Sequence, residues 1–156
     1  MIWKPNVTVA AVIEREGRFL LVEEETEEGI RYNQPAGHLE PGESLIDAVV
    51  RETLEESAWR FIPEYLVGIY HWRDAPQEIT WLRFAFGGRL DGHEAGRALD
   101  AGIIAAHWLD PKEIAALAPR HRSPMVPRVI SDWQAGRRYP LDLLNYHAPE
   151  RYCSAP

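Results

Sequence analysis

The 156 residues suit one domain and are too few for two large ones, and 46% hydrophobic against 26% charged residues excludes a disordered or collagenous chain. A net charge of −7 argues against tight nonspecific binding to nucleic acid or to an anionic membrane surface, and no run approaches the ~18 apolar residues of a membrane span. The M-I-W-K-P-N start lacks the regions of a signal peptide, and the one cysteine, Cys153, allows no intrachain disulfide or multi-cysteine zinc site, so a reducing, cytoplasmic location is expected.

In chain order, residues 7–14 and 19–23 are apolar, β-branched runs joined by R-E-G-R, which predicts a hairpin with Gly17 at the turn. The acidic stretch 23–29 breaks both periodicities and is predicted as a loop. Residues 37–43, G-H-L-E-P-G-E, carry two glycines and a proline and predict an elaborate loop. A helix follows, with Ser44 and Asp47 as its capping signature and Ile46, Val49, Val50, Thr53 and Leu54 as its buried stripe. Residues 65–72 and 79–86 read as strands, the second alternating Leu82, Phe84 and Phe86 against Trp81, Arg83 and Ala85.

Residues 87–102 form a glycine-rich connection, and 104–109 a further strand. Asp110-Pro111-Lys112-Glu113 is a helix start with a capping Asp, Pro at the first position and Glu at the third. Ser123-Pro124 opens a last helix whose Met125, Val129, Ile130 and Trp133 share a face, ended by Gly136. Strands mixed with about three helices, without regular β-α-β alternation, predict an α/β sandwich.

Charge is unevenly placed. Residues 40–56 carry a net −5, and residues 119–140, with Arg120, Arg122, Arg128, Arg137 and Arg138 against Asp132 alone, carry +4. Such a pair would suit an anionic substrate held through a divalent metal, although two solvated faces would produce the same totals. At about 100° per residue, Glu52, Glu55 and Glu56 fall within an arc of about 100° on the helix. Like charges at this spacing repel unless a cation neutralises them, and Arg51 offsets only part. Hard carboxylate oxygens suit Mg²⁺ or Mn²⁺. Alone, the E-x-x-E-E pattern more often marks a solvated acidic face.

The loop in front of the helix adds a longer pattern. Gly37, five residues, Glu43, seven residues, Arg51-Glu52, two residues and Glu55-Glu56 together resemble the Nudix box of the Nudix hydrolase superfamily. The match departs at Thr53, Ala58 and Trp59, positions that concern packing and the helix exit. V-T-V-A-A-V, Y-N-Q-P-A-G-H-L-E, R-S-P-M-V and G-R-R-Y-P-L extend the resemblance toward the NudJ-type phosphatase branch of that superfamily.

The resemblance implies one Nudix domain over residues 1–156, an α/β/α sandwich with a mixed central sheet, its box at 37–59 and a C-terminal helix and basic segment at 119–140. It implies Glu52, Glu55, Glu56 and the carbonyl of Ala36 as ligands of Mg²⁺ or Mn²⁺, Arg51 as the brace of neighbouring carboxylates, and Glu43 as the partner holding the loop to the helix. Glu52 is one candidate for deprotonating the attacking water. The base can also come from a later loop, where Glu94 and Asp100 are available and Asp100, also a candidate metal ligand, is preferred.

The branch implies release of inorganic phosphate from nucleoside tri- and diphosphates and from hydroxymethylpyrimidine pyrophosphate, a thiamine precursor. Divalent cations serve this chemistry by screening the repulsion between hydroxide and an anionic phosphorus. Arg122, Arg137 and Arg138 could contact the terminal phosphate, and Trp3, Tyr32, Trp72 and Trp81 could meet a substrate ring, with Trp81 preferred. His38 and His71 are further candidates near the site. The expected partner is a small molecule, with no nucleic acid polymer or membrane, and the chain is expected to act as a monomer. Two rival readings are a Nudix nucleoside triphosphate pyrophosphatase that releases pyrophosphate and a Nudix-fold sensor that binds nucleotide without cleaving it.

Overall fold

The computed structural model describes residues 2–148, so Cys153 lies outside the described residues. In chain order the strands are β1 (Asn6–Val12), β2 (Glu14–Arg15), β3 (Arg18–Thr26), β4 (Gly29–Asn33), β5 (Ala36–His38), β6 (Trp59–Asp74), β7 (Ile79–His93) and β8 (Ile103–Leu109). The α-helices are α1 (Leu45–Ser57), between β5 and β6, then α2 (Pro111–Ala116) and α3 (Met125–Gln134). One sheet runs β5-β1-β7-β6, with β1 parallel to β7 and the outer pairs antiparallel. In the other, β3 pairs with β8 on one side and with β2 and β4 on the other. The fold is thus mixed α/β with a mixed central sheet and helices packed on it, as the sequence predicts.

Alternation along β1 places the core on both faces. Val9 and Ala11 pack with Ala48 and Val49 of α1 and with Phe61 and Phe86, while Val12 packs with Val126, Val129 and Ile130 of α3. The capping signatures hold. Ser44 Oγ accepts from Asp47 N at 3.0 Å and donates to the Asp47 carboxylate at 2.7 Å, and Asp110 and Glu113 form a complete capping box. Ser123 Oγ accepts from Met125 N at 3.2 Å at the start of α3, and Gly136 beyond its end has φ 80. Among the described residues, no helix is long and apolar enough to cross a membrane.

Four expectations are corrected. The first two predicted strands lie in different sheets, and the turn at Glu16 and Gly17, with φ 54 and 79, joins only β2 to the start of β3. The acidic stretch continues β3 as far as Thr26, because Glu23, Glu24 and Glu25 pair across to Tyr32, Arg31 and Ile30 and Thr26 Oγ1 closes the turn onto Gly29 O at 2.6 Å. The connection after residue 86 is strand up to His93, since register shifts in β6 absorb Pro63 and the Tyr65 ring lies where a Cβ on Gly87 would fall.

The fourth correction bears on function. The most buried face of α1 comprises Ala48, Val49, Glu52, Thr53, Glu56 and Ser57, whereas Ile46, Val50 and Leu54 are half-buried. The helix is rotated so that two glutamates point inward. It ends at Ala58 in the left-handed conformation, φ 59, where glycine would be strain-free and alanine costs roughly 1–2 kcal/mol.

Candidate active site

A cleft of about 750 Å³ opens between the α1 carboxylates, the end of the central sheet and the residues leading into α3. Glu52, Glu55 and Glu56 of α1 line it together with Asp100, which is placed by its backbone N–H donating to Glu55 O at 3.0 Å. The solvated-face reading therefore fails for this helix, because Glu52 is 8% exposed and Glu56 is 9% exposed.

Arg51 is the hub of the carboxylate set. Its Nε donates to Glu43 at 3.0 Å, one terminal nitrogen to Glu52 at 2.8 Å and Glu55 at 3.0 Å, and the other to Glu43 at 2.7 Å and His38 O at 3.0 Å. The fork geometry of a guanidinium makes this possible where an ammonium would not. Its hydrogen bonds hold Glu43 below the usual carboxylate range, and Glu43 in turn holds Arg51 firmly protonated. Glu43 Oε1 also accepts from Glu40 N at 2.7 Å, tying the loop to the helix.

Glu56 lies on the other side. Burial pushes its carboxyl up to about 8, against the Ala36 N–H that donates to it at 2.8 Å and with the repulsion of Glu52, Glu24 and Asp100. Burial likewise raises Glu52, opposed by Arg51. Val7, Val9 and Ala11 are the β1 positions that pair toward β5, so Ala36, opposite Ala10, is free to turn its peptide groups outward to the carboxylates. Gly37 makes room beside it, because a Cβ there would overlap the Glu52 carboxyl group. Gly37→Ala is accordingly expected to cost about 1–3 kcal/mol by overpacking and to shift Glu52; a melting temperature and metal affinity equal to those of the unchanged chain would refute the close packing.

The carboxylates fit a divalent cation by donor chemistry. Two glutamates are buried against like charges, and Arg51, the single arginine in contact with the set among the described residues, serves Glu43, Glu52 and Glu55 but not Glu56. Among the described residues, no three acidic or histidine side chains already converge on one point, consistent with Arg51 drawing Glu52 and Glu55 toward itself.

The remaining predicted residues divide. Trp72, Trp81, His38 and Arg122 line the cleft, and Arg122 Nε lies 3.2 Å from Glu24. Arg137 and Arg138 are outside it. Arg137 lies 3.4 Å from the buried Asp132, and Arg138 stacks over Tyr65 and Trp133 at 4.5 and 4.6 Å, so a carboxylate and two aromatic faces away from the cleft hold these side chains. Trp3 is 68% exposed, Tyr32 is buried in the core, His71 is exposed, and Glu94 pairs with Arg97 at 2.8 Å. Thr8, Glu24 and Arg83 also line the cleft. The signal for Arg83 was present in W-L-R-F-A-F, a charge in the middle of an apolar strand.

The NUDIX domain family model matches residues 3–129. The chain belongs to the NUDIX domain family. It is 39% identical over 142 residues to Phosphatase NudJ of Escherichia coli, covering 91% of this chain and 92% of the relative. A NUDIX hydrolase from Nitrosomonas europaea superposes with a TM-score of 0.90 at 53% identity, over 92% of this chain and 98% of that one. A MutT NUDIX hydrolase from Burkholderia pseudomallei shares the fold, with a TM-score of 0.71 at 21% identity over 83% of this chain and 98% of that one. The protein is thus a Nudix hydrolase, a class that generally needs a divalent metal ion and acts on small-molecule nucleotides. The helix carrying Arg51, Glu52, Glu55 and Glu56 lies within the residues matched by the family model.

Proposed function

We propose that this chain hydrolyses the terminal phosphoanhydride bond of nucleoside tri- and diphosphates, releasing inorganic phosphate with Mg²⁺ as the preferred cation and Mn²⁺ as a substitute. The observation that carries the reading is that Glu52, Glu55, Glu56 and Asp100 share one cleft with the aromatic side chains Trp72 and Trp81. Hydroxymethylpyrimidine pyrophosphate belongs to the same substrate class, a ring carrying a short anhydride chain, and is included on the branch resemblance of the sequence.

Glu52, Glu55, Glu56, Asp100 and the carbonyl of Ala36 are the groups that would hold the cation. When bound, it supplies charge screening for the phosphates and a lowered pKa for water. Arg51 keeps Glu52 and Glu55 oriented, and Glu43 keeps Arg51 in place. Glu52 is suited to take the proton of the attacking water, because burial raises its proton affinity toward the range of a working base. The water oxygen then forms a bond to the terminal phosphorus while the bridging P–O bond breaks, and the nucleoside diphosphate (monophosphate, from a diphosphate substrate) leaves with the electron pair. Asp100, on the later loop, is the second carboxylate placed to act as that base. Trp81 and Trp72, cross-strand partners on β7 and β6, offer apolar surface to the substrate ring. Arg122 is the one residue of the predicted arginine trio that reaches the cleft, and it supports the phosphate end.

Hydrolysis of a nucleoside triphosphate in ¹⁸O-labelled water tests the reading. Label in free phosphate, with the diphosphate as first product and no turnover in EDTA, is the expected result. Label in nucleoside monophosphate with pyrophosphate as co-product would replace it by the pyrophosphatase reading, and metal-dependent binding without turnover by the sensor reading.

A further inference from the structure

Strand register builds a polar floor under the cleft. Thr8 of β1 is paired with Arg83 of β7, and Asn6 with Trp81. Tyr70 of β6 is the partner of Arg83 on the other side, and His38 of β5 the partner of Thr8. Paired residues share a face of the sheet, so His38, Thr8, Arg83 and Tyr70 form one row across four strands, with Trp81 in the next row. Among these, Arg83 is 9% exposed and Thr8 is 5% exposed.

Their donors lack good acceptors among the described residues. Among the described residues the Arg83 guanidinium reaches only the amide oxygens of Asn33 at 3.4 Å and Gln34 at 3.5 Å, both long. Among the described residues it has no carboxylate within ion-pair distance; Glu24, the carboxylate that most strongly attracts it, instead pairs with Arg122 at 3.2 Å. Thr8 Oγ1 and Trp81 Nε1 are buried with no hydrogen-bond partner among the described residues. A buried guanidinium with no carboxylate in direct contact, beside two unmet donors, is costly to the fold, and all three residues line the cleft.

We infer that Arg83, with Thr8 Oγ1 and Trp81 Nε1, forms an anchoring subsite for the phosphate oxygens of the substrate, a role that rests on the phosphoanhydride reading above. Phosphate oxygens are acceptors only and can bring negative charge into direct contact with Arg83, where Glu24 and Glu56 act on it only from a distance. A nucleobase is uncharged and presents donors as well as acceptors, so it would leave the guanidinium uncompensated. The carboxylates at the β5 edge and the guanidinium on β7 then engage the anhydride chain from two sides, one set through a cation and the other directly.

The probe is inorganic imidotriphosphate, which has no ring and whose P–N–P bridges resist hydrolysis, titrated calorimetrically into the Mg²⁺-loaded protein, with a nucleoside titrated in parallel. Arg83→Lys keeps the charge and loses the fork, and should weaken imidotriphosphate binding by at least ~10-fold, with nucleoside affinity and melting temperature unchanged. Thr8→Val, nearly isosteric, should weaken it by a smaller factor, about 3-fold or more, and decides the matter should Arg83→Lys fail to fold. Unchanged imidotriphosphate affinity in the folded variants, or an equal loss of nucleoside affinity, would overturn the subsite. Nucleoside triphosphate turnover by the unaltered chain separates the two readings. Turnover with Arg83-independent binding rejects the anchor alone, and Arg83-dependent binding without turnover rejects the hydrolytic reading alone.

Discussion

Replacing Glu56 by Gln is expected to lower turnover on the order of 100-fold or more at limiting Mg²⁺, while the metal-free protein becomes no less stable. The amide oxygen can still accept from Ala36 N–H, now at 2.8 Å from the carboxylate, so the local fold keeps its contact. What disappears is a formal charge buried against Glu52, Glu24 and Asp100. The pH dependence follows from the same burial. In the metal-free folded chain the Glu56 carboxyl holds its proton up to about 8, whereas the unfolded chain releases it near 4.5. The folded state binds more protons in that window, so the contribution of Glu56 to stability is complete below it and is lost as pH rises through it. Thermal melts in EDTA should show the unaltered chain losing stability across this window and Glu56→Gln losing less. Full turnover in the variant would remove Glu56 from the metal site, and a variant that melts far below the unaltered chain above about pH 8 would show that its charge supports the fold.

Arg51→Gln should have the largest effect on stability. The side chain makes five hydrogen bonds, to Glu43 twice, to Glu52, to Glu55 and to His38 O. Without it, Glu43, Glu52 and Glu55 confront one another in a partly buried space. Removing one partner from such a set costs about 3–5 kcal/mol, or a fall in melting temperature on the order of 10 °C for a chain of this length. Saturating Mg²⁺ should recover part of the loss, because a cation can take over the neutralisation of Glu52 and Glu55. Arg51→Lys should recover little, since one ammonium cannot reach acceptors on the loop and on two turns of helix together. A melting temperature within about 2 °C of the unaltered chain, measured in EDTA by calorimetry, would mean that the network contributes little net energy.

Features set by short-range chemistry were legible without coordinates. The caps at Ser44 and Asp110, the turn at Gly17 and the start of α3 depend on residues a few positions apart, and each appears where its local signal lies. Helical periodicity likewise placed Glu52, Glu55 and Glu56 within one arc of a helix. Longer strands were missed where an acidic or glycine-rich stretch hid them, because cross-strand pairing, and not the stretch's own propensity, holds residues 23–26 and 87–93 extended.

The sequence by itself determined the Nudix family, the helix that bears the carboxylates and the glycine in front of it, since all of these follow from residue type at fixed spacing. Only the tertiary structure decided which charges serve the site. Arg137 and Arg138, read as phosphate contacts from their place in a basic segment, are drawn instead to Asp132 and to the rings of Tyr65 and Trp133. Arg83, an isolated charge in an apolar strand, is carried into the cleft by its parallel pairing with β1. The physical reason is that helical position depends on separations of three or four residues, whereas the neighbour that a guanidinium finds depends on which strands pair, across separations such as the 75 residues between Thr8 and Arg83.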